Sequence, residues 1–132
     1  MKIAVTSTGN SMESQVDPRF GRCTTFLIVD TGTMQAESIP NSSVSAAHGA
    51  GIGAAQKVAS LGVNAVITGH VGPNAHTALS GAGLDIYTTP DGTVREAVEK
   101  LKKGELVKVS SPTVGGHFGQ GRGRGRGNRP RD

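Results

Sequence analysis

Apolar positions fall into short runs and helical stripes, separated by polar, glycine-rich stretches. Lys2-Ile3-Ala4-Val5-Thr6-Ser7 reads as a buried strand, and Thr25-Phe26-Leu27-Ile28-Val29-Asp30 as a second. Thr31-Gly32-Thr33 predicts a turn into a third strand near Met34–Ile39. Pro40 ends it, because proline brings no N–H to a ladder. From about Gly51 the apolar residues Ile52, Ala55, Val58, Ala59 and Leu61 predict a helix, with Gly62 at its left-handed cap. Asn64–Thr68 is a short buried strand. Pro73 then opens a helix whose apolar face is Ala75, Ala78, Leu79 and Ala82, with Gly81 or Gly83 at its end. Leu84–Thr88 is the next strand. Thr93-Val94-Arg95-Glu96 has the form of a capping box, and Val94, Ala97, Val98 and Leu101 recur at helical spacing up to Gly104. Glu96 with Lys100, and Glu99 with Lys103, stand at the favourable acid-before-base spacing. Leu106–Val109 offers a short edge strand.

The order β, β, β, α, β, α, β, α predicts a meander followed by parallel strands with helices on both faces. The expected fold is a three-layer α/β domain with one mixed sheet of about five strands. It spans residues 1–112, and the pattern stops after Pro112, leaving 113–132 as a disordered Gly/Arg-rich tail. In such sheets ligands sit beyond the carboxyl ends of the parallel strands. Three polar stretches are expected there: Thr8–Cys23, Asn41–Gly53 and Gly69–His76.

Charge sharpens this picture. The 132 residues hold 14 Lys plus Arg and 10 Asp plus Glu, a formal net charge of +4. Arg122, Arg124, Arg126, Arg129 and Arg131 lie in the last eleven residues, with only Asp132 against them. Removing these six leaves 9 basic and 9 acidic residues in the first 121, so the basic character belongs to the tail. With 20 Gly, no Trp and few aromatics, the core must be built from Val, Ile, Leu and Ala. No apolar run approaches the roughly 20 residues that span a bilayer, and a cytoplasmic protein is expected.

The single cysteine, Cys23, rules out an intrachain disulfide and the four thiolates of an ordinary iron–sulfur centre. Near Arg19 and Arg22 it is a candidate for a lowered pKa and for ligating one metal, against a plainer reading as a small residue entering a strand. His48, His70 and His76 lie in predicted strand-to-helix loops or a first helical turn, and are candidate metal ligands. His48-Gly49-Ala50-Gly51-Ile52-Gly53-Ala54 presents a glycine-rich approach to a helix, suited either to an anion or to tight helix packing. Asp17-Pro18-Arg19-Phe20-Gly21-Arg22 brings two guanidinium groups to the same end. Two-metal hydrolysis is disfavoured, because Thr6, Ser7 and Thr8 occupy the first strand and Asp17, Asp30 and Asp91 are scattered.

These loops also carry a resemblance. Asp17-Pro18-Arg19-Phe20-Gly21-Arg22 with the Phe26-Leu27-Ile28-Val29-Asp30 strand, His48–Gln56, Gly69-His70-Val71-Gly72-Pro73-Asn74-Ala75 and Thr93–Ala97 resemble four successive signatures of one family. It is the dinitrogenase iron–molybdenum cofactor biosynthesis family, the NifX/NafY-like group that also occurs fused to NifB. Gly115-Gly116-His117-Phe118-Gly119 before a Gly/Arg tail is similar to its small, stand-alone, orange-protein-like members. The resemblance implies a ribonuclease-H-like fold without nuclease activity. It also implies non-covalent binding of a metal–sulfur cluster, iron–molybdenum or molybdenum–copper in type. Many members have His in place of Arg19 and Asn in place of His70, so neither is an inherited ligand.

A cluster already saturated with sulfide is a compact polyanion. It asks for oriented N–H groups, cations and an apolar wall. On that reading Arg19, Phe20, Gly21, Arg22, His48, Gly49, Gly51, Gly53, Gly72 and Asn74 form the binding site. Cys23, His48, His70 and His76 are held in reserve as direct metal ligands. The expected role is carriage or storage, not catalysis. Expected partners are a P-loop ATPase or a nitrogenase-assembly protein. The rival readings are a nucleic-acid binder acting through the Arg/Gly tail, a small histidine-based enzyme and a metal-independent scaffold.

Overall fold

In a computed structural model, residues 1–41 and 50–110 are described. The elements are β1 (Lys2–Ser7), β2 (Thr25–Asp30), β3 (Gln35–Pro40), α1 (Ala50–Ser60), β4 (Ala65–Thr68), α2 (Pro73–Gly81), β5 (Asp85–Thr88), α3 (Val94–Lys102) and β6 (Val107–Lys108). A single 3₁₀ turn, Phe20–Arg22, interrupts the stretch between β1 and β2. The sheet has six strands in the order β3-β2-β1-β4-β5-β6, one more than expected, because β6 pairs antiparallel with β5. β1, β4 and β5 run parallel; β2 is antiparallel to β1, and β3 to β2. The carboxyl ends of β1, β3, β4 and β5 therefore open on one edge of the sheet.

Two cores sandwich the sheet. On one face Ala4, Phe26, Ile28 and Val66 meet Ala54, Ala55 and Val58 of α1 and Ala75 and Leu79 of α2. On the other, Ile3, Val5, Leu27, Val29 and Ile67 meet Val94, Ala97 and Val98 of α3. The alternation within β1 and β2 thus feeds both faces, as a strand period of two requires. The apolar stripe of α1 runs through Ala54, Ala55 and Val58 and leaves Ile52 exposed.

Helix ends follow the sequence signals. α1 and α3 stop at Gly62 and Gly104, both at φ +73, where a side chain would be strained. The capping box closes: Glu96 N donates to the Thr93 hydroxyl at 3.1 Å, and Thr93 N to the Glu96 carboxylate at 2.9 Å. The expected Glu96–Lys100 and Glu99–Lys103 ion pairs do not form. Glu96 is occupied by the cap, and it is Arg95 that pairs, with Glu13 at 2.7 Å.

Candidate functional site

The stretch after β1 was expected to be a long polar loop, but its apolar residues take it across the open edge of the sheet. Met12, Val16, Phe20 and Cys23 are buried. Backbone bridges tie Ser7 to Val16 and Gln15 to Thr93, and Val16 N donates to Gly92 O at 2.9 Å. The strap then turns under Asp17. Asp17 N donates to Thr6 O at 2.9 Å, and the Thr6 hydroxyl donates to Asp17 O at 2.7 Å. The buried Asp17 carboxylate accepts the backbone N–H of Arg19 at 2.9 Å, an Asx turn that sets the direction of the next residues.

Pro18-Arg19-Phe20 next lies alongside Gly69-His70-Val71 at the exit of β4. His70 N donates to Pro18 O at 2.7 Å and Phe20 N to His70 O at 3.3 Å. Gly69 makes this possible: a Cβ there would stand 2.5 Å from Pro18 Cα and 2.9 Å from Pro18 O. Arg19 and His70 are consequently neighbours on paired backbones, and both are exposed. The Arg19 side chain is 66 % exposed and its Nε is 3.4 Å from the nearly sealed carboxylate of Asp17. That geometry is weak, so the pair holds the arginine loosely and leaves most of its donors to solvent. Arg22 is exposed and makes no ion pair with a described residue.

On the β3 side, Asn41 fastens the same loop. Its Nδ2 donates to Gly21 O at 3.2 Å and to Cys23 O at 2.9 Å, and lies 3.8 Å from Cys23 Sγ. Its backbone N–H donates to Thr24 O at 3.0 Å. The 3₁₀ turn rests against α1. α2 begins beside the loop: Gly72 is its N-cap, Pro73 its first residue, and no side chain caps its first-turn amides. Asn74 is exposed on that turn, and His76 is half-buried with a buried Nε2 that has no hydrogen-bond partner among the described residues.

Several sequence expectations change. Phe20 is 2 % exposed and packs against Phe26, with ring centroids 5.8 Å apart, so it belongs to the core and not to a ligand surface. Gly21 contributes a carbonyl to Asn41. Cys23 is fully buried, and its thiol is pushed up to about 12, first by burial and then by the Asp17 carboxylate, the reverse of the lowered pKa expected from Arg19 and Arg22. Arg19 and Arg22 are both exposed, and the Cys23 Sγ lies 3.4 Å from Phe20 O, placed to donate. A buried neutral thiol is a poor metal ligand. Among the described residues no three of His, Cys, Asp and Glu gather as a metal site. His70, His76 and Cys23 are thus not a ligand cluster by themselves. Gly51 and Gly53 lie within the first turn of α1; His48 and Gly49, like His117 and the arginine tail, fall outside the described residues.

Sequence reasoning passed over Gly69 and Asn41 as site residues. The close approach that requires Gly69 is to Pro18, far upstream in the chain, so no local signal marks it.

The chain as a whole resembles known proteins. Residues 1–104 match the family described as dinitrogenase iron-molybdenum cofactor. The chain belongs to that family. It is similar to the apo form of the orange protein from Desulfovibrio gigas, with 42 % identity and a TM-score of 0.83 over 86 % of this chain and 96 % of that one. A NifB candidate from Thermotoga matches with 34 % identity and a TM-score of 0.75, over 86 % and 97 %. An uncharacterized Methanocaldococcus jannaschii protein is 32 % identical over 111 residues, 82 % of this chain and 91 % of its own. Family membership links the chain to iron–molybdenum cofactor binding or biosynthesis. No described helix is long and apolar enough to cross a membrane.

Proposed function

We propose that this protein binds and carries an anionic metal–sulfur cluster, of iron–molybdenum–sulfur or molybdenum–copper–sulfur type, non-covalently and without catalysing a reaction on it. The reading rests on one observation above all. The pairing of Pro18–Phe20 with Gly69–Val71 brings Arg19 next to His70, with Arg22 on the following turn, while the only thiol is sealed below them. A cargo that brings its own sulfide needs no cysteine from the protein. It needs cations and N–H donors, and these are what the edge offers: Arg19, Arg22, and the first turn of α2 with Gly72 and Asn74. Asp17 offsets one of the two guanidinium charges, which favours reversible holding over permanent capture. His70, His76 and His48 are the residues available for direct ligation where the cluster's coordination is incomplete.

The strand plan is read as ribonuclease-H-like, emptied of nuclease chemistry because β1 ends in Thr6 and Ser7 where carboxylates would be needed. On this reading the protein works in the cytoplasm, and its partner is an assembly protein or ATPase that delivers or receives the cluster. Anaerobic reconstitution with tetrathiomolybdate and copper(I), or with an iron–molybdenum cluster, should yield a chromophore and stoichiometric metal. Arg19→Gln and Arg22→Gln should each lower retention. A colourless protein with no retained metal under every such condition refutes the proposal.

A further inference from the structure

Arg22 is the guanidinium at this edge with no carboxylate partner among the described residues, and no side-chain hydrogen bond to a described residue orients it. Its backbone is held instead. Arg22 N donates to Arg19 O at 3.2 Å, and the carbonyls of the residues on either side, Gly21 O and Cys23 O, both accept from Nδ2 of Asn41. Asn41 is 4 % exposed, and its own backbone is anchored to Thr24 O. One buried amide thus fixes the carbonyls that bracket Arg22. Asn41 sits at the exit of β3, immediately before the segment that leads to the glycine-rich start of α1.

We infer that Asn41 is a positioning residue for the cluster-binding reading above: it orients Arg22 towards the anionic cargo and never touches the cargo itself. An alternative donor at this place would not substitute freely. Two carbonyls must be bridged from a buried position by one NH₂ group, which asparagine provides with two N–H donors and a short, stiff arm. Asp would present acceptors to acceptors, next to a thiol already held neutral by burial and by Asp17.

The test is a double-mutant cycle in the full chain, with tetrathiomolybdate as the probe and its visible absorbance as the signal. Asn41→Ala and Arg22→Gln are measured singly and together, with Asn41→Ser, which retains one donor, as the milder variant. A charge-assisted contact is worth roughly tenfold in affinity, so each single change should weaken binding by about that factor. If Asn41 acts through Arg22, Asn41→Ala should cost less than about twofold once Arg22 is Gln. Equal cost in both backgrounds, or no cost in either, overturns the inference.

A second readout needs no cargo. Amide exchange of the apo protein should quicken at Arg22 and Cys23 in Asn41→Ala and Asn41→Ser, while His70 and the strands stay protected. Unchanged exchange at Arg22 overturns the inference whatever the cluster does. Failure of the wild type to bind tetrathiomolybdate overturns the cluster reading and with it the role assigned to Asn41, while quickened exchange would still establish the hold on Arg22.

Discussion

Replacing Gly69 by alanine puts one methyl group where the site has no room for it. The nearest atoms would be the Cα of Pro18 at 2.5 Å and its carbonyl oxygen at 2.9 Å, both backbone, so no side-chain rotation relieves the clash. Pro18 is itself stiff, because its ring locks φ. The loop must therefore move off β4, and the two hydrogen bonds between Pro18–Phe20 and His70 lengthen or break. Two neutral bonds at about 1 kcal/mol each, or an overpacked core at about 1–3 kcal/mol, give the same expectation: a loss of about 1–3 kcal/mol. Against this stands a gain of at most about 1 kcal/mol from a less flexible unfolded chain. Urea unfolding followed by circular dichroism measures the difference, and Gly81→Ala is the control. Gly81 has nothing within 4 Å of its missing Cβ and lies in α2, so alanine there should be neutral or gain up to about 1 kcal/mol. If Gly69→Ala gains stability as the control does, the account of how Arg19 is brought to His70 is wrong.

The buried thiol gives a chemical prediction. With Cys23 pushed up to about 12, iodoacetamide at pH 8 should label the native protein at least about 10³-fold more slowly than the urea-unfolded chain, and comparable rates would refute the burial. The same shift links stability to pH. The fold favours the protonated thiol, so that stabilisation is complete below about pH 8.5 and is lost towards pH 12, by about 1.4 kcal/mol per pH unit at most. Wild type should lose stability over that window relative to Cys23→Ala, which has no such group; parallel curves would speak against it. Thr93→Ala removes half of the capping box and should cost about 1 kcal/mol in urea, and a change below about 0.3 kcal/mol would show the cap to be idle. Arg95→Ala, despite its 2.7 Å contact with Glu13, should change stability by less than about 0.5 kcal/mol because both side chains are largely in water.

Much of the framework was readable because it depends on local rules. The β1 and β2 runs, the capping box at Thr93–Glu96 and the glycine stops after α1 and α3 are decided within a few residues of each signal. β6 was offered by Leu106–Val109, but so short an edge shows no period, and only its bonding to Tyr87 and Thr88 makes it a sixth strand. The edge on which polar loops gather was legible from the parallel strands. Which loop residues face out was not. Arg19, Phe20 and Arg22 stand side by side in the sequence, yet Phe20 turns into the core against Phe26 while the two arginines stay in water. The pKa of Cys23 goes the opposite way for a related reason: two nearby arginines in sequence suggest a positive field, but in space burial first, and then Asp17, govern the thiol. Asn41 was invisible as a clamp because its acceptors are about 20 residues upstream, across two strands.

The antiparallel addition of β6 has a practical consequence. After Val107 pairs with Thr88 and Lys108 with Tyr87, Val109 N reaches back to Ile86 O, so the chain is heading towards the end of the sheet where β5 begins. β1 begins at that same end, where Thr31 N donates to Met1 O. Both ends of the described fold leave from the side opposite the arginine loop. An anchor, a fusion partner or an electrode linker attached at either end of the described fold would hold the domain by its base and leave the arginine loop facing outward.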